Sequence, residues 1–171
     1  MKISYENTLE DAVAFNLYHF EHSPTFRRNQ KILMCVLPIV LAVMFIPLAI
    51  ARESPGVVVF ALVFGCLWIW AFPFMQRRSI ARSSRKLYGE GSNKGFVCRH
   101  DLELTDEFLV EKSDGGMSSR KISDLEKVVT DQTYTYIYVG SLSAHVVPHE
   151  RVSEGNLQAF VEELRRRLPN R

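Results

Sequence analysis

Four groups of side chains carry residue types that could do chemistry. Cys98 and His100 are the one thiol and imidazole pair close in sequence. On an extended segment, alternation puts both on the same, inward face, as a nucleophile with its base or as packed core; the core reading is preferred. His145 and His149 stand four apart with Glu150 adjacent, a spacing that holds a metal on a helix. Pro148 breaks that segment, and an extended chain does not gather the two rings as a helix would. His19 and His22 flank Glu21 on a helical pattern, but no further ligand is near, so both are read as interfacial histidines. The fourth group is basic: Arg77, Arg78, Arg82, Arg85 and Lys86. It suits either contact with anionic lipid headgroups or a pure topology signal.

Larger catalytic signatures are missing. The chain has no Gly-x-Ser-x-Gly, Cys-x-x-Cys or His-Glu-x-x-His. The glycine-rich stretch Gly89 to Gly95 lacks a Gly-Lys-Ser/Thr ending and follows no strand, so it reads as a linker and not a phosphate cradle. Cys35, Cys66 and Cys98 are an odd, dispersed set that makes no disulfide framework. The expectation is a protein that is not an enzyme, with no catalytic residues, no metal and no cofactor.

The elements around these groups are dominated by one apolar block. Averaged over the chain, hydropathy is close to neutral, yet Ile32–Ala51 and Gly56–Met75 are each 20 residues without a charge. At about 1.5 Å rise per residue, each run is long enough to cross a hydrocarbon core of about 30 Å. A polar stretch precedes the first run, which argues against a cleaved signal peptide. The connector Arg52-Glu53-Ser54-Pro55 is short, so the two spans form an antiparallel hairpin. Arg27, Arg28 and Lys31 precede the first span and the basic group follows the second, which places both termini in the cytoplasm. Trp68, Trp70, Phe72 and Phe74 fit an aromatic belt at the inner interface. Pro38, Pro47 and Pro73 interrupt the spans, and Ala61 with Gly65 offers a close helix contact. No ionisable side chain lies inside either span, which weighs against transport.

Residues 1–31 are expected to hold a short strand at Lys2 to Tyr5 and an amphipathic helix from Leu9 to about His22, with Thr8 as N-cap. Ser23-Pro24 signals a second helix start. Residues 32–75 are the hairpin, and residues 76–95 a basic juxtamembrane helix and linker. That third segment holds six Lys/Arg against Glu90 alone. Residues 96–171 hold ten Lys/Arg against thirteen Asp/Glu and change to period two. Six strands are expected there: Phe96–Leu104, Phe108–Lys112, Met117–Ile122, Leu125–Thr130, Tyr134–Val139 and Ala144–Pro148. Ser113-Asp114-Gly115-Gly116 makes a tight turn, and a helix from about Glu154 to Leu168 carries Leu157, Phe160, Val161, Leu164 and Leu168 on one face. The fold class is α+β: a two-helix hairpin plus a small antiparallel sheet or open barrel closed by a C-terminal helix. Tyr134, Tyr136 and Tyr138 form a ladder, either cross-strand packing or a peptide-docking surface.

These features together resemble the YcxB-like family of bacterial membrane proteins. The residues that carry the likeness are Ile3-Ser4-Tyr5-Glu6, Phe15-Asn16-Leu17-Tyr18-His19, the two spans, Ile122 to Val128, Tyr136-Ile137-Tyr138-Val139 and Val147 to Val152. The resemblance implies a C-terminal domain similar to bacterial pleckstrin-homology folds, and it supplies no activity. Pleckstrin-type domains often bind phosphoinositides through a basic first hairpin; here Asp106 and Glu107 stand at that turn, so this property is not carried over. The resemblance further implies that the N-terminal strand pairs with an edge of the domain's sheet, with the hairpin an insertion in one fold.

The functional expectation is a membrane-anchored binding or scaffold protein at the cytoplasmic face of the inner membrane. Its partners are membrane lipids and a protein partner or a second copy, with no nucleic acid. Two alternatives belong to other classes: a membrane-bound enzyme acting on a lipid-phase substrate, and a subunit of an oligomeric channel or transporter.

Overall fold

The computed structural model describes residues 1–51, 55–90 and 95–169. The connector residues Arg52, Glu53 and Ser54 and the linker residues Gly91, Ser92, Asn93 and Lys94 lie outside the described residues. In chain order the elements are β1 (Lys2–Glu6), α1 (Leu9–His22), α2 (Pro24–Ala51), α3 (Pro55–Gly89), β2 (Arg99–Leu104), β3 (Phe108–Ser113), β4 (Gly116–Lys121), β5 (Lys127–Thr130), β6 (Tyr134–Gly140), β7 (Ser143–Pro148), β8 (Val152–Glu154) and α4 (Leu157–Arg167). Packing divides the chain into two compact units, residues 17–82 and residues 1–16 with 83–171.

The helical unit is built from local signals. Ser23 ends α1 and accepts from Arg27 N at 3.0 Å, and Pro24 takes the first position of α2, where its missing N–H costs nothing. The helices run through Pro38, Pro47 and Pro73. Both α2 and α3 are long and apolar enough to cross a membrane. Gly65 of α3 faces Pro38 of α2, and a β-carbon there would meet the Pro38 ring at an ordinary 3.8 Å, so the two helices meet at this glycine without depending on its missing side chain.

The sheet unit differs from expectation in three ways. Among the described residues eight strands form two antiparallel sheets, where a short N-terminal strand and six strands of one sheet or barrel were expected. The five-stranded sheet has the order β4-β3-β2-β1-β8, and the three-stranded sheet the order β5-β6-β7. The division falls where Ile122 leaves β4 and enters a 3-10 turn (Ile122–Asp124), burying its side chain. Second, β1 joins the sheet as expected, pairing with β2 with Ile3 opposite Leu102 and Tyr5 opposite His100, but β8 covers its other side and makes it an interior strand. The chain's first strand is thus an interior strand of a sheet whose other members all follow the apolar block. Third, Glu154 belongs to β8, so α4 begins at Leu157, the first residue of its apolar face, and not at about Glu154.

The core lies between the sheets. Ile3, Tyr5, Leu102, Leu104, Leu109, Leu125, Ile137 and Val147 are joined there by Phe160 and Leu164 of α4. Each such side chain contributes about 1.5–3 kcal/mol on leaving water. Asn156 Oδ1 accepts from Ala159 N at 3.0 Å and caps α4. Gly155, at φ +88°, makes the turn from β8, and a β-carbon there would collide with the Lys2 carbonyl.

Candidate functional site

The basic group lies on the C-terminal part of α3, and all five of its side chains are exposed. They do not act alike. Arg77 pairs with Glu21 at 3.2 Å. Arg85 grips Glu10 with two bonds, Nε to Oε1 at 3.0 Å and Nη2 to Oε2 at 2.9 Å. The bonds from Arg85 draw the Glu10 carboxyl below its ordinary pKa. Arg78, Arg82 and Lys86 follow one another at i, i+4 and i+8, on one side of the helix. Among the described residues none of these three makes an ion pair. One helical turn before Arg78 the surface becomes apolar and aromatic: Trp70, Phe74 and Met75 are exposed, and the Trp70 and Phe74 rings lie 5.5 Å apart.

A second cluster has formed around Glu111, a β3 residue that the sequence did not mark. Alternation along β2 turns His100 inward, where it is 4% exposed. Its Nδ1 donates to Glu111 Oε1 at 2.9 Å, and its Nε2 donates to the Phe96 carbonyl at 3.0 Å. His145 of β7 donates from Nδ1 to the same Glu111 oxygen at 3.2 Å, and Ser118 donates to the other oxygen at 3.2 Å. The ring of Tyr5 stacks on His100 at 5.4 Å and 14°. Cys98 Sγ lies 3.6 Å from His100 Nε2 and donates to the Gly95 carbonyl at 3.2 Å. Cys98 and His100 therefore meet in a packed interior, as the preferred reading held.

The electrostatics follow from these contacts. Burial opposes the charged forms of both partners. For Glu111 the donors His100 and His145 outweigh it and hold the carboxyl well below its ordinary range. For His100 the Glu111 carboxylate and the Phe96 carbonyl outweigh it and raise the imidazole above 6.5. Burial pushes the Tyr5 phenol up.

The remaining expectations fall into place around α1. Asp11, fully buried, accepts from Thr8 N at 2.6 Å and Thr8 Oγ1 at 2.8 Å through Oδ2, one half of a capping box. Its Oδ1 accepts from Tyr134 Oη at 3.0 Å and from Arg151. Phe15 covers the tyrosine ladder, 5.8 Å from the Tyr136 ring and 5.9 Å from Tyr138. Both tyrosines are buried, so the ladder is packing and not an open docking surface. His145 and His149 go to different partners, Glu111 and Thr135 Oγ1. His22 bonds the Tyr18 carbonyl at 2.9 Å, and His19 meets Phe26 edge-on. Among the described residues no group of three or more His, Cys, Asp or Glu could hold a metal ion.

Comparison with known proteins adds one match. Residues 104–164, from the end of β2 to within α4, match the family model described as YcxB-like protein. That agrees with the resemblance read from the sequence. No curated protein and no solved structure matches the chain.

Proposed function

We propose that this chain is a membrane-anchored, non-enzymatic binding or scaffold protein. It holds a pleckstrin-homology-like domain at the cytoplasmic face of a bacterial inner membrane, with both termini inside. The observation that carries this reading is the outward apolar surface of α2 and α3. Val43, Met44, Ile50, Phe60, Leu62 and Val63 are each more than 60% exposed, and neither helix run carries a charge. Soluble monomers rarely leave a contiguous apolar patch larger than ~300–600 Å² in water. Hydrocarbon is the solvent that suits two such helices.

The aromatic-to-basic transition on α3 supports an inner interface at Trp70 to Arg78. Arg78, Arg82 and Lys86, which make no ion pair among the described residues, leave their charges available to anionic headgroups. Arg77 and Arg85 are largely satisfied by Glu21 and Glu10, so they serve the protein itself.

Three measurements test the proposal in the full-length chain. With Cys35, Cys66 and Cys98 replaced, a cysteine at Ser54 should react with an impermeant maleimide in intact cells. A cysteine at Ser141 should react only after permeabilisation; the reverse pattern overturns the orientation. Crosslinking in native membranes should then capture a second protein species, and turnover of a lipid-phase substrate by the purified chain would overturn the non-enzymatic reading.

A further inference from the structure

The Glu111 cluster joins elements that no backbone ladder connects. Glu111 and His100 belong to the five-stranded sheet and His145 to the three-stranded sheet. One carboxylate oxygen therefore ties the two sheets together through two imidazoles. His100 is unusual in that both of its ring nitrogens face acceptors, the Glu111 carboxylate and the Phe96 carbonyl. A neutral imidazole has a single N–H and could satisfy only one of them. A ring protonated on both nitrogens satisfies both acceptors, and the stacked Tyr5 face favours a cation beside it.

We infer that His100, Glu111 and His145 form a proton-operated clasp that fastens the two sheets and the segment preceding β2, and that opens when His100 loses a proton. The groups facing His100 are Tyr5 from β1, Cys98 just before β2, Glu111 from β3 and Phe96 through its carbonyl, with Asp114 adding a more distant negative charge. On Glu111 itself bear His145 from β7 and Ser118 from β4. When His100 becomes neutral, the better bond to keep is Nδ1–H to the carboxylate, because a charged acceptor binds more strongly. Nε2 then presents a lone pair to the Phe96 carbonyl, and that contact turns repulsive. The segment released is Gly95 to Cys98, whose other ties are Asn7 N to the Cys98 carbonyl, the Cys98 thiol to Gly95 and the Tyr88–Phe96 ring contact. This segment leads into β2, so proton loss loosens the entry to the five-stranded sheet. The inference does not depend on the membrane reading.

The sign is fixed by the shifts. His100 is raised above its ordinary 6.5, so its stabilisation is complete below that value and is lost as pH climbs through the raised one. Glu111 is lowered from 4.5, so its contribution is complete above that value and is lost in acid. The clasp is closed between these limits.

The test is a histidine-labelled NMR titration of the full-length chain in detergent micelles, from about pH 5 to about pH 9.5. Hydrogen exchange at residues 96–99, corrected for the intrinsic rate, is followed in parallel. His100 should show both ring nitrogens protonated near neutral pH and titrate above 6.5. Protection at 96–99 should fall about ten-fold for each unit by which the raised value exceeds 6.5. Glu111→Gln should lower the titration below its wild-type position, since only the Phe96 carbonyl and the distant Asp114 then oppose burial. Should that variant not fold, the wild-type titration decides alone. A wild-type His100 that titrates at or below 6.5, or protection that stays constant across its titration, overturns the inference.

Discussion

The two units solve opposite problems with the same kinds of residue. On α2 and α3 the large aliphatic side chains face outward, and Ala49 is the one buried residue of α2. In the sheet unit Ile3, Leu102, Ile137, Val147, Phe160 and Leu164 are fully enclosed, and the exposed positions of β4 read Met-Ser-Ser-Arg-Lys after its glycine. One unit is stabilised by removing apolar area from water within itself, while the other leaves that area to its surroundings. Polar groups follow the same division. The helical runs contain no charge to satisfy, whereas the sheet unit encloses Asp11 and His100 and gives each a full set of partners. Apolar runs mark the helical unit, and the direction of the side chains separates the two kinds of packing.

This contrast can be broken most severely in the core. Phe160→Ala should cost the sheet unit about 3–5 kcal/mol, while Phe60→Ala on α3 should leave its stability within about 0.5 kcal/mol. Denaturation of the full-length chain in micelles, followed through exchange at β6, separates the two. Next in size, Val43→Arg puts a charge amid the first span at a cost of about 2.5–3.5 kcal/mol to insertion. The membrane-bound fraction of newly made protein should drop sharply, with exchange in the sheet unit unchanged. Asp11→Asn removes the acid shared by Thr8, Tyr134 and Arg151, and should lower sheet-unit stability by about 1–3 kcal/mol. Asn156→Ala, which deletes the α4 cap, should cost about 1 kcal/mol and act on α4 alone. Equal losses from Phe60→Ala and Phe160→Ala would erase the distinction between the units.

Local signals made much of this fold legible. Thr8, Ser23-Pro24 and the charge-free runs mark α1, α2 and α3 within the bounds observed, because caps and apolar length act over one or two turns. The three residues of β8 are too few to establish a period. The split into two sheets depends on which face Ile122 buries, which alternation does not specify. The candidate sites show the same limit. The five basic residues of α3 were visible as a run, but their sorting into paired and unpaired cations depends on Glu10 and Glu21, far earlier in the chain. Asp11 reads as a first-turn acid, and its bond to Arg151 spans 140 positions. Glu111 gave no signal because its two histidines lie 11 and 34 residues away, on different strands. Such contacts arise only when both sheets close on one another.

The central claim is that the helical unit has lipid as its solvent. Washing membranes from cells expressing the full-length chain with alkaline carbonate tests it directly, since this strips peripheral proteins and leaves spanning ones. The protein should stay entirely with the membrane pellet and float with it on a density gradient. Release into the supernatant would contradict the account.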